Sequence, residues 1–344
     1  MSKRIERLAL TGLFLAAAAS LAWPAAAQSV ADFYKGKQLR IIVGGAPGGG
    51  YDIYARTFAR YFADEVPGKP AGIVQNMQGA ASIRAANYVY TVAPKDGTVM
   101  GMVQREIPML PLYGSEQEAL QYETLKFNWI GNLNNETSVC ATWHDSPTRT
   151  IQDAMKQETI IGGSGANDTE KFPAVLNNLL GTKFKIISGY VAANIDIAIE
   201  RREVDGRCGW SWSSLKNQKP DWLRDKKLNI LIQLSGEPHD ELKGVPFIMD
   251  LAMNERDKQT LNLIFASLAL GRPFVMPPDV PRDRVAAVRE AFNRAARDPR
   301  LIADLGKQSF DVAPVSGEKM DELLAELMKS PPDIVKQAVE AMKK

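Results

Sequence analysis

A short β-branched run, a glycine-rich turn and an amphipathic helix follow one another twice in this 344-residue chain. The first opening is Gln38-Leu-Arg-Ile-Ile-Val43, ending in Gly44-Gly-Ala-Pro-Gly-Gly-Gly50. A helical pattern then runs from Asp52 to about Ala63, with Ile53, Phe58 and Phe62 on one face and Arg56 and Arg60 between them. Asp52 stands where a helix cap is expected, and Asp52 with Arg56 has the i,i+4 spacing of an ion pair. The second opening is Thr159-Ile-Ile161, running into Gly162-Gly-Ser-Gly-Ala-Asn-Asp168 before a helix over Phe172–Leu180. Strands alternating with helices predict an α/β fold with a mostly parallel sheet, and two openings in separate blocks predict two such units.

The remaining elements follow the same periodicities. Strands are expected at Gly72–Met77, Thr98–Val103, Thr137–Trp143, Phe184–Ile187, Val204–Trp212 and Leu228–Leu234. Helices are expected at Ile83–Val92, Thr150–Gln157, Asn194–Arg201, Arg282–Arg297 and Glu318–Met328, with a buried apolar run at Leu261–Leu270. No low-complexity linker and no sequence repeat interrupts the pattern.

The N-terminus reads as an export signal. Lys3, Arg4 and Arg7 precede an apolar run from Leu8 to Trp23, Pro24 breaks it, and Ala25-Ala26-Ala27 supplies small residues for cleavage. The run is shorter than the roughly 20 residues a membrane-spanning helix needs. Loss of residues 1–27 removes three basic residues and one acidic, so 42 Lys+Arg against 40 Asp+Glu become 39 of each. The first cysteine is Cys140, so none stands near the cleavage point to carry a lipid. The expectation is a freely diffusing periplasmic protein. Its even charge argues against nucleic acid as a partner, and two Cys and two His argue against a metal site. No cofactor is expected. An oxidising compartment allows a Cys140–Cys208 disulfide, with two separate buried thiols as the alternative.

Glycine turns between strand and helix expose backbone N–H groups at the positive end of a helix dipole, and such places bind anions. Neither loop carries the Lys-Ser/Thr of a P-loop or a full G-x-G-x-x-G, which excludes the common nucleotide motifs. Gly162-x-Ser164-x-Ala166 approaches a nucleophile elbow, with Asp196 or Asp205 and His239 following in a hydrolase's order. That makes a secreted serine hydrolase the enzyme alternative. His239 and His144 lie in polar turns and read as surface residues. Trp210-Ser-Trp-Ser-Ser214 is expected to place both indoles on one strand face, packed in the core or lining a cleft. Tyr51, at the mouth of the first loop, is placed to close over a ligand.

Taken together these residues resemble the substrate-binding proteins of tripartite tricarboxylate transporters, the Bug proteins. The resemblance covers nearly all of the mature chain. Its strongest part is Leu39-Arg-Ile-Ile-Val43 with Pro47-Gly-Gly-Gly-Tyr-Asp52 and Ala55-Arg56. Asn76-Met-Gln-Gly-Ala80, Ala93-Pro-Lys-Asp-Gly97, Gly163-Ser-Gly165, Val204-Asp205, Gly244-Val-Pro246 and Val275-Met-Pro-Pro-Asp-Val-Pro281 follow in order. It implies a type II periplasmic-binding-protein fold: two α/β domains joined by two crossover strands, with the ligand cleft between them. The first domain would take residues 28–136 plus 237–344, and the second 137–236.

The same resemblance implies a non-catalytic, monomeric protein that captures a small organic carboxylate and delivers it to the permease subunits of such a transporter. A sensor that presents its ligand to a signalling receptor is the alternative. Ligand contacts would fall at Pro47, Gly48, Gly49, Gly50, Tyr51 and Asp52; at Gln78, Gly79, Ala80 and Ser82; at Ser164, Gly165, Asn167, Asp168 and Thr169; and at Gly209, Trp210 and Ser211. The chain departs from the usual family pattern at Tyr51, at Gly79-Ala-Ala-Ser82, at Asn167-Asp168-Thr169 and at Gly209. A simple citrate-like specificity therefore does not follow, and an aromatic or longer-chain carboxylate is expected to fit as well.

Overall fold

The computed structural model describes residues 28–114, 117–165, 167–190 and 192–344, so the export signal expected at 1–27 lies outside the described residues. Among the described residues, eleven strands form two sheets. The first holds β1 (Gln38–Val43), β2 (Ala71–Asn76), β3 (Val99–Met102), β4 (Asn128–Asn132), β10 (Pro273–Met276) and β11 (Val315–Ser316), in the order β11-β4-β10-β3-β1-β2. The second holds β5 (Ser138–Trp143), β6 (Thr159–Gly162), β7 (Phe184–Ile187), β8 (Gly206–Ser211) and β9 (Leu228–Leu234), in the order β7-β6-β8-β5-β9. This is the two-lobed type II arrangement expected from the sequence, but its sheets are mixed rather than mostly parallel. β1 pairs parallel with β2 and β3, and β6 with β7 and β8, while β10, β11, β5 and β9 join antiparallel. β4, β5, β9 and β10 flank the two passages between lobes, so no helical crossover within a lobe imposes a parallel return on them.

Each parallel half is built by the strand–turn–helix openings. β1 leads into helix α1 (Gly50–Glu65), and β6 into α2 (Asp168–Leu180). α1 begins two residues before the expected start: Gly49 is the cap residue and Asp52 lies in the first turn. Glycine is a poor helix former, which is why the pattern alone starts the helix at Asp52. The strand expected to end at Trp212 stops at Ser211, whose hydroxyl caps a new helix, α3 (Trp212–Gln218). α4 (Glu255–Phe265), α5 (Arg282–Ala295), α6 (Gly317–Leu327) and α7 (Pro332–Ala341) complete the outer layers.

The apolar core falls into three clusters. One covers a face of the first sheet, with Tyr54, Phe58, Phe62, Phe274 and Phe292. Another covers a face of the second, with Trp143, Trp210, Trp212 and Trp222. The third runs without a break from one lobe to the other, from Val99 and Trp129 through Phe265 to Phe172, Ile161 and Phe184. Helix α7, which packs on α4, also reaches α2 of the second lobe. Asn178 donates to the carbonyl oxygens of Ala341 (3.0 Å) and Lys343 (2.8 Å) there.

The backbone passes between lobes at 133–137 and again after β9. Where these segments enter the second lobe, β5 and β9 lie side by side, with Ser138 opposite Leu234. Cys140 and Cys208 are bonded, joining β5 to its neighbour β8 inside the core. Closure of this 68-residue separation stabilises the fold by about 4 kcal/mol in the chain-entropy account.

Candidate functional site between the two glycine loops

The carboxyl ends of the parallel strands bring the predicted loops together, as expected at the edge of an open α/β sheet. The contacts run through a residue that the sequence reading left out, Arg105. It lies in the loop after β3, is buried, and its guanidinium pairs with Asp168, the buried first residue of α2 in the opposite lobe. The Arg105 backbone N–H donates to the Tyr51 hydroxyl at 3.1 Å, and its Nε lies 3.3 Å from Glu106. On the far side, Gly209 (φ +64°) sits so close to the helix that a Cβ there would stand 2.4 Å from the carbonyl carbon of Asp168. Tyr51, Arg105, Asp168 and Gly209 thus form one chain of contacts across the two lobes.

The third predicted segment joins the same cluster. Ser82 is buried, and its hydroxyl accepts from the Gln104 backbone N–H at 3.2 Å. A Cβ on Gly44 would collide with that hydroxyl at 1.6 Å, so glycine is required where the two loops meet. Ala80, Ala81 and Ser82 all have positive φ, at 44°, 46° and 79°. Three consecutive L-residues in the left-handed region store about 1–2 kcal/mol each. Gln78, Gly79 and Ala80 are exposed at the rim of this turn.

The two helix N-termini differ. In the second loop nearly every donor is already engaged by the protein itself. Ser164 N–H donates to the Thr169 hydroxyl (2.9 Å), Gly165 N–H to Glu170 (2.8 Å), and Thr169 N–H to the Asn167 side chain (3.0 Å). Glu170 also pairs with Lys344. Burial acts to raise the Glu170 pKa, but the bonds from Lys344 and Gly165 outweigh it and hold the carboxyl below its usual range. In the first loop, Gly49 offers no side-chain acceptor to the opening turn of α1. Pro47 and Gly48 are exposed at its tip, while Gly49, Gly50 and Tyr51 are half-buried.

Asp52 shapes this first loop. Its carboxylate accepts from Gly48 N–H (2.8 Å), Arg56 (2.9 Å) and Asn76 (2.9 Å). Burial opposes ionisation, yet these donors together hold its pKa below the usual value. Asp52 is therefore an internal brace, and the i,i+4 pair with Arg56 is present as expected.

Beneath the loops lies a second buried ion pair outside the sequence-derived set. Arg272 sits 3.4 Å from Glu136, which lies on the first crossover segment and also accepts from Ser213. The Arg272 guanidinium stacks on Tyr51 and Tyr54, 4.5 and 4.9 Å from their ring centres. Burial pushes the Tyr51 phenol up, so it stays protonated, with Arg272 acting the other way. A lone arginine after a strand reads as solvated surface. The signal that marks Arg105 is its position at the carboxyl end of the third parallel strand.

Trp210 does not reach this cluster. It is buried among Val139, Trp143 and Trp222, under the guanidinium of Arg207 at 4.9 Å. Trp212 is buried too, and its indole donates to Glu241 at 2.7 Å. The Ser211 hydroxyl is taken up in capping α3. The break in strand alternation after Ser211 is the reason: core packing claims both indoles. Ser164 has the hydroxyl of Thr169 and the amide of Asn167 beside it, both at 3.2 Å, and neither is a general base. His239 instead accepts from Glu241 N–H. Asp205 accepts from Ile160 N–H, and Asp196 pairs with Arg207. The hydrolase constellation is not assembled among the described residues.

Beside Asp168 lies a cavity of about 20 Å³, bounded by Glu106, Met109, Tyr113 and Phe172. A wider groove, about 910 Å³, lies elsewhere, between α4, α6 and the chain at Gly236. It touches none of the predicted residues.

No protein-family model matches the chain. A curated relative, the "UPF0065 protein in gbd 5'region" of Cupriavidus necator, is 30% identical over 152 residues. That match spans 44% of this chain and 44% of the relative's own length. Among solved structures, a TctC solute-binding protein from Polaromonas superposes with a TM-score of 0.68 at 18% identity, covering 88% of this chain and 99% of that one. The malate-bound MatC protein of Rhodopseudomonas palustris gives 0.60 at 16% identity, covering 89% and 99%. The family resemblance read from the sequence is matched by a shared fold over nearly the whole described chain. The Polaromonas protein that carries this fold is a solute-binding protein.

Proposed function

We propose that this chain is a periplasmic solute-binding protein of the tripartite tricarboxylate transporter type, exported with cleavage after Ala27. It takes up a small organic ligand bearing a carboxylate between its two lobes and hands it to the permease subunits of such a transporter. The observation that carries this reading is the convergence of both glycine loops on one buried cross-lobe contact, Arg105 with Asp168. A ligand there would touch both lobes at once, which is how a two-lobed receptor couples binding to closure.

In this reading residues 28–136 with 237–344 form one domain and 137–236 the other, and the protein acts as a monomer. The carboxylate lies at the N-terminus of α1, where the Gly50–Asp52 turn has no side-chain cap, beside Tyr51 and Ser82. The Rhodopseudomonas protein of like fold holds malate, a small carboxylate. A screen of mono-, di- and aromatic carboxylates by thermal shift tests the reading. A ligand at 100 times its dissociation constant adds about 2.7 kcal/mol to stability. If no carboxylate-bearing compound raises the midpoint while sugars or simple amines do, the reading falls.

A further inference from the structure

The groove of about 910 Å³ between α4 and α6 has an apolar floor and an acidic rim. Leu263 of α4 and Ile334 of α7 are buried at its base, while Leu323 and Leu327, one turn apart on α6, stay half-buried along its wall. Leucines at i,i+4 form the kind of stripe that a helix ordinarily packs against a neighbour. On the same stretch of α6, Glu322 and Glu326 are exposed at the rim. They too stand four residues apart, a like-charge spacing that disfavours a helix on its own. Lys319 lies 3.0 Å from Glu322, but Glu326 has no ion-pair partner among the described residues. Glu237 adds a third carboxylate, and Lys329 is the sole basic residue among the described residues that line the groove.

We propose that this groove docks a basic amphipathic helix of a partner protein. Apolar side chains at i, i+3, i+4 and i+7 of that helix enter between α4 and α6, and its lysines or arginines meet the rim carboxylates. A helix with acidic flanks would add to the like-charge repulsion, and an anionic lipid surface would be repelled in the same way. The position gives docking a consequence. Asn135 lies on the first passage between lobes and Gly236 on the second, so one seated helix touches both. Its contacts change when the lobes change their angle, and by linkage its binding biases that angle. The groove is separate from the Arg105–Asp168 contact, so the inference goes beyond the carboxylate reading and stands without it.

The probe is a synthetic helical peptide of about 14 residues, with leucine at i, i+3, i+4 and i+7 and lysine on the flanking positions. Its glutamate counterpart and a scrambled lysine peptide of equal charge serve as controls. In fluorescence anisotropy titrations of the full mature chain, the lysine helix is expected to bind about tenfold or more tighter than either control. Glu322→Lys/Glu326→Lys changes two exposed side chains, so the melting midpoint should stay near wild type while that affinity falls about tenfold. Hydrogen exchange should show the peptide protecting amides of α6 together with those around Asn135 and Gly236. Failure of the lysine helix to bind, equal binding of all three peptides, an unaffected charge-reversed variant, or protection confined to other surfaces would each overturn the inference. If sedimentation shows a dimeric wild type and a monomeric charge-reversed variant, the face joins two copies of this chain and the partner-helix inference falls.

Discussion

Phe172 on α2 meets Phe265 at the end of α4 edge-on, with ring centres 5.0 Å apart, and the two rings belong to opposite lobes. The apolar cluster that includes them makes this side of the molecule a packed joint, so lobe opening must pivot about it or break it. Phe172→Ala removes the contact and leaves a cavity. The expected loss is about 3–5 kcal/mol in denaturant unfolding. Small-angle scattering should also show a larger radius of gyration. An unchanged midpoint would mean that the rings contribute no coupling.

Gly209→Ala places a methyl group against the Asp168 backbone at a positive φ. The start of α2 must move away from β8, and the Arg105–Asp168 contact with it. Stability should drop by at least about 1–2 kcal/mol from the backbone conformation alone. Ligand affinity should fall further than in Gly236→Ala, where a Cβ meets nothing within 4 Å. Equal behaviour of the two variants in melting and titration would contradict the placement.

Asp52 and Glu170 both ionise more readily than isolated carboxyls, because of the donors around them. A depressed folded pKa contributes stability that is complete above the unfolded value, near pH 4, and is lost as pH falls through the folded one. Thermal midpoints should therefore decline steeply below about pH 4. Asp52→Asn should lower the neutral-pH midpoint and flatten that acid slope. A parallel curve for the variant would show that Asp52 is not one of the groups responsible.

Arg272 and Glu136 form a buried pair at the first crossover segment. Arg272→Met strands the Glu136 charge and is expected to cost about 3–5 kcal/mol. Adding Glu136→Gln should recover much of that loss, because the stranded charge is then gone. A double-mutant cycle from urea midpoints measures the coupling, and a coupling near zero would rule the pair out as an interacting unit.

The Cys140–Cys208 bond is expected to stabilise the fold by about 4 kcal/mol. Cys140→Ala/Cys208→Ala should lower the denaturation midpoint accordingly. Because the bond is buried, the folded wild type should resist a mild reductant that the unfolded chain does not. Rapid reduction of the native protein would contradict that burial.

Strands dense in β-branched residues announced themselves: Gln38–Val43, Phe184–Ile187 and Leu228–Leu234 have the ends the sequence suggests. β4, Asn-Trp-Ile-Gly-Asn, and β10, Pro-Phe-Val-Met, did not, since Asn, Gly and Pro disfavour a strand and only the neighbours already in place recruit them. The glycine loops were legible as a pair, because turn chemistry is local. Arg105, Glu136 and Arg272 were not: a charged residue declares its role only when a distant chain segment supplies the opposite charge. For Trp210 and Trp212 the sequence left core and cleft both open, and the core claims both indoles.

The two passages between lobes enter the second one as hydrogen-bonded neighbours, β5 beside β9. A ladder of that kind resists sliding along its length far more than bending across its face. The second lobe is therefore carried on a ribbon rather than on two independent cords. Its permitted motion narrows to a flexing about one axis, and the disulfide to β8 ties the strand that touches Asp168 to that same ribbon. Any load placed on Asp168 would reach β5 and β9 through β8.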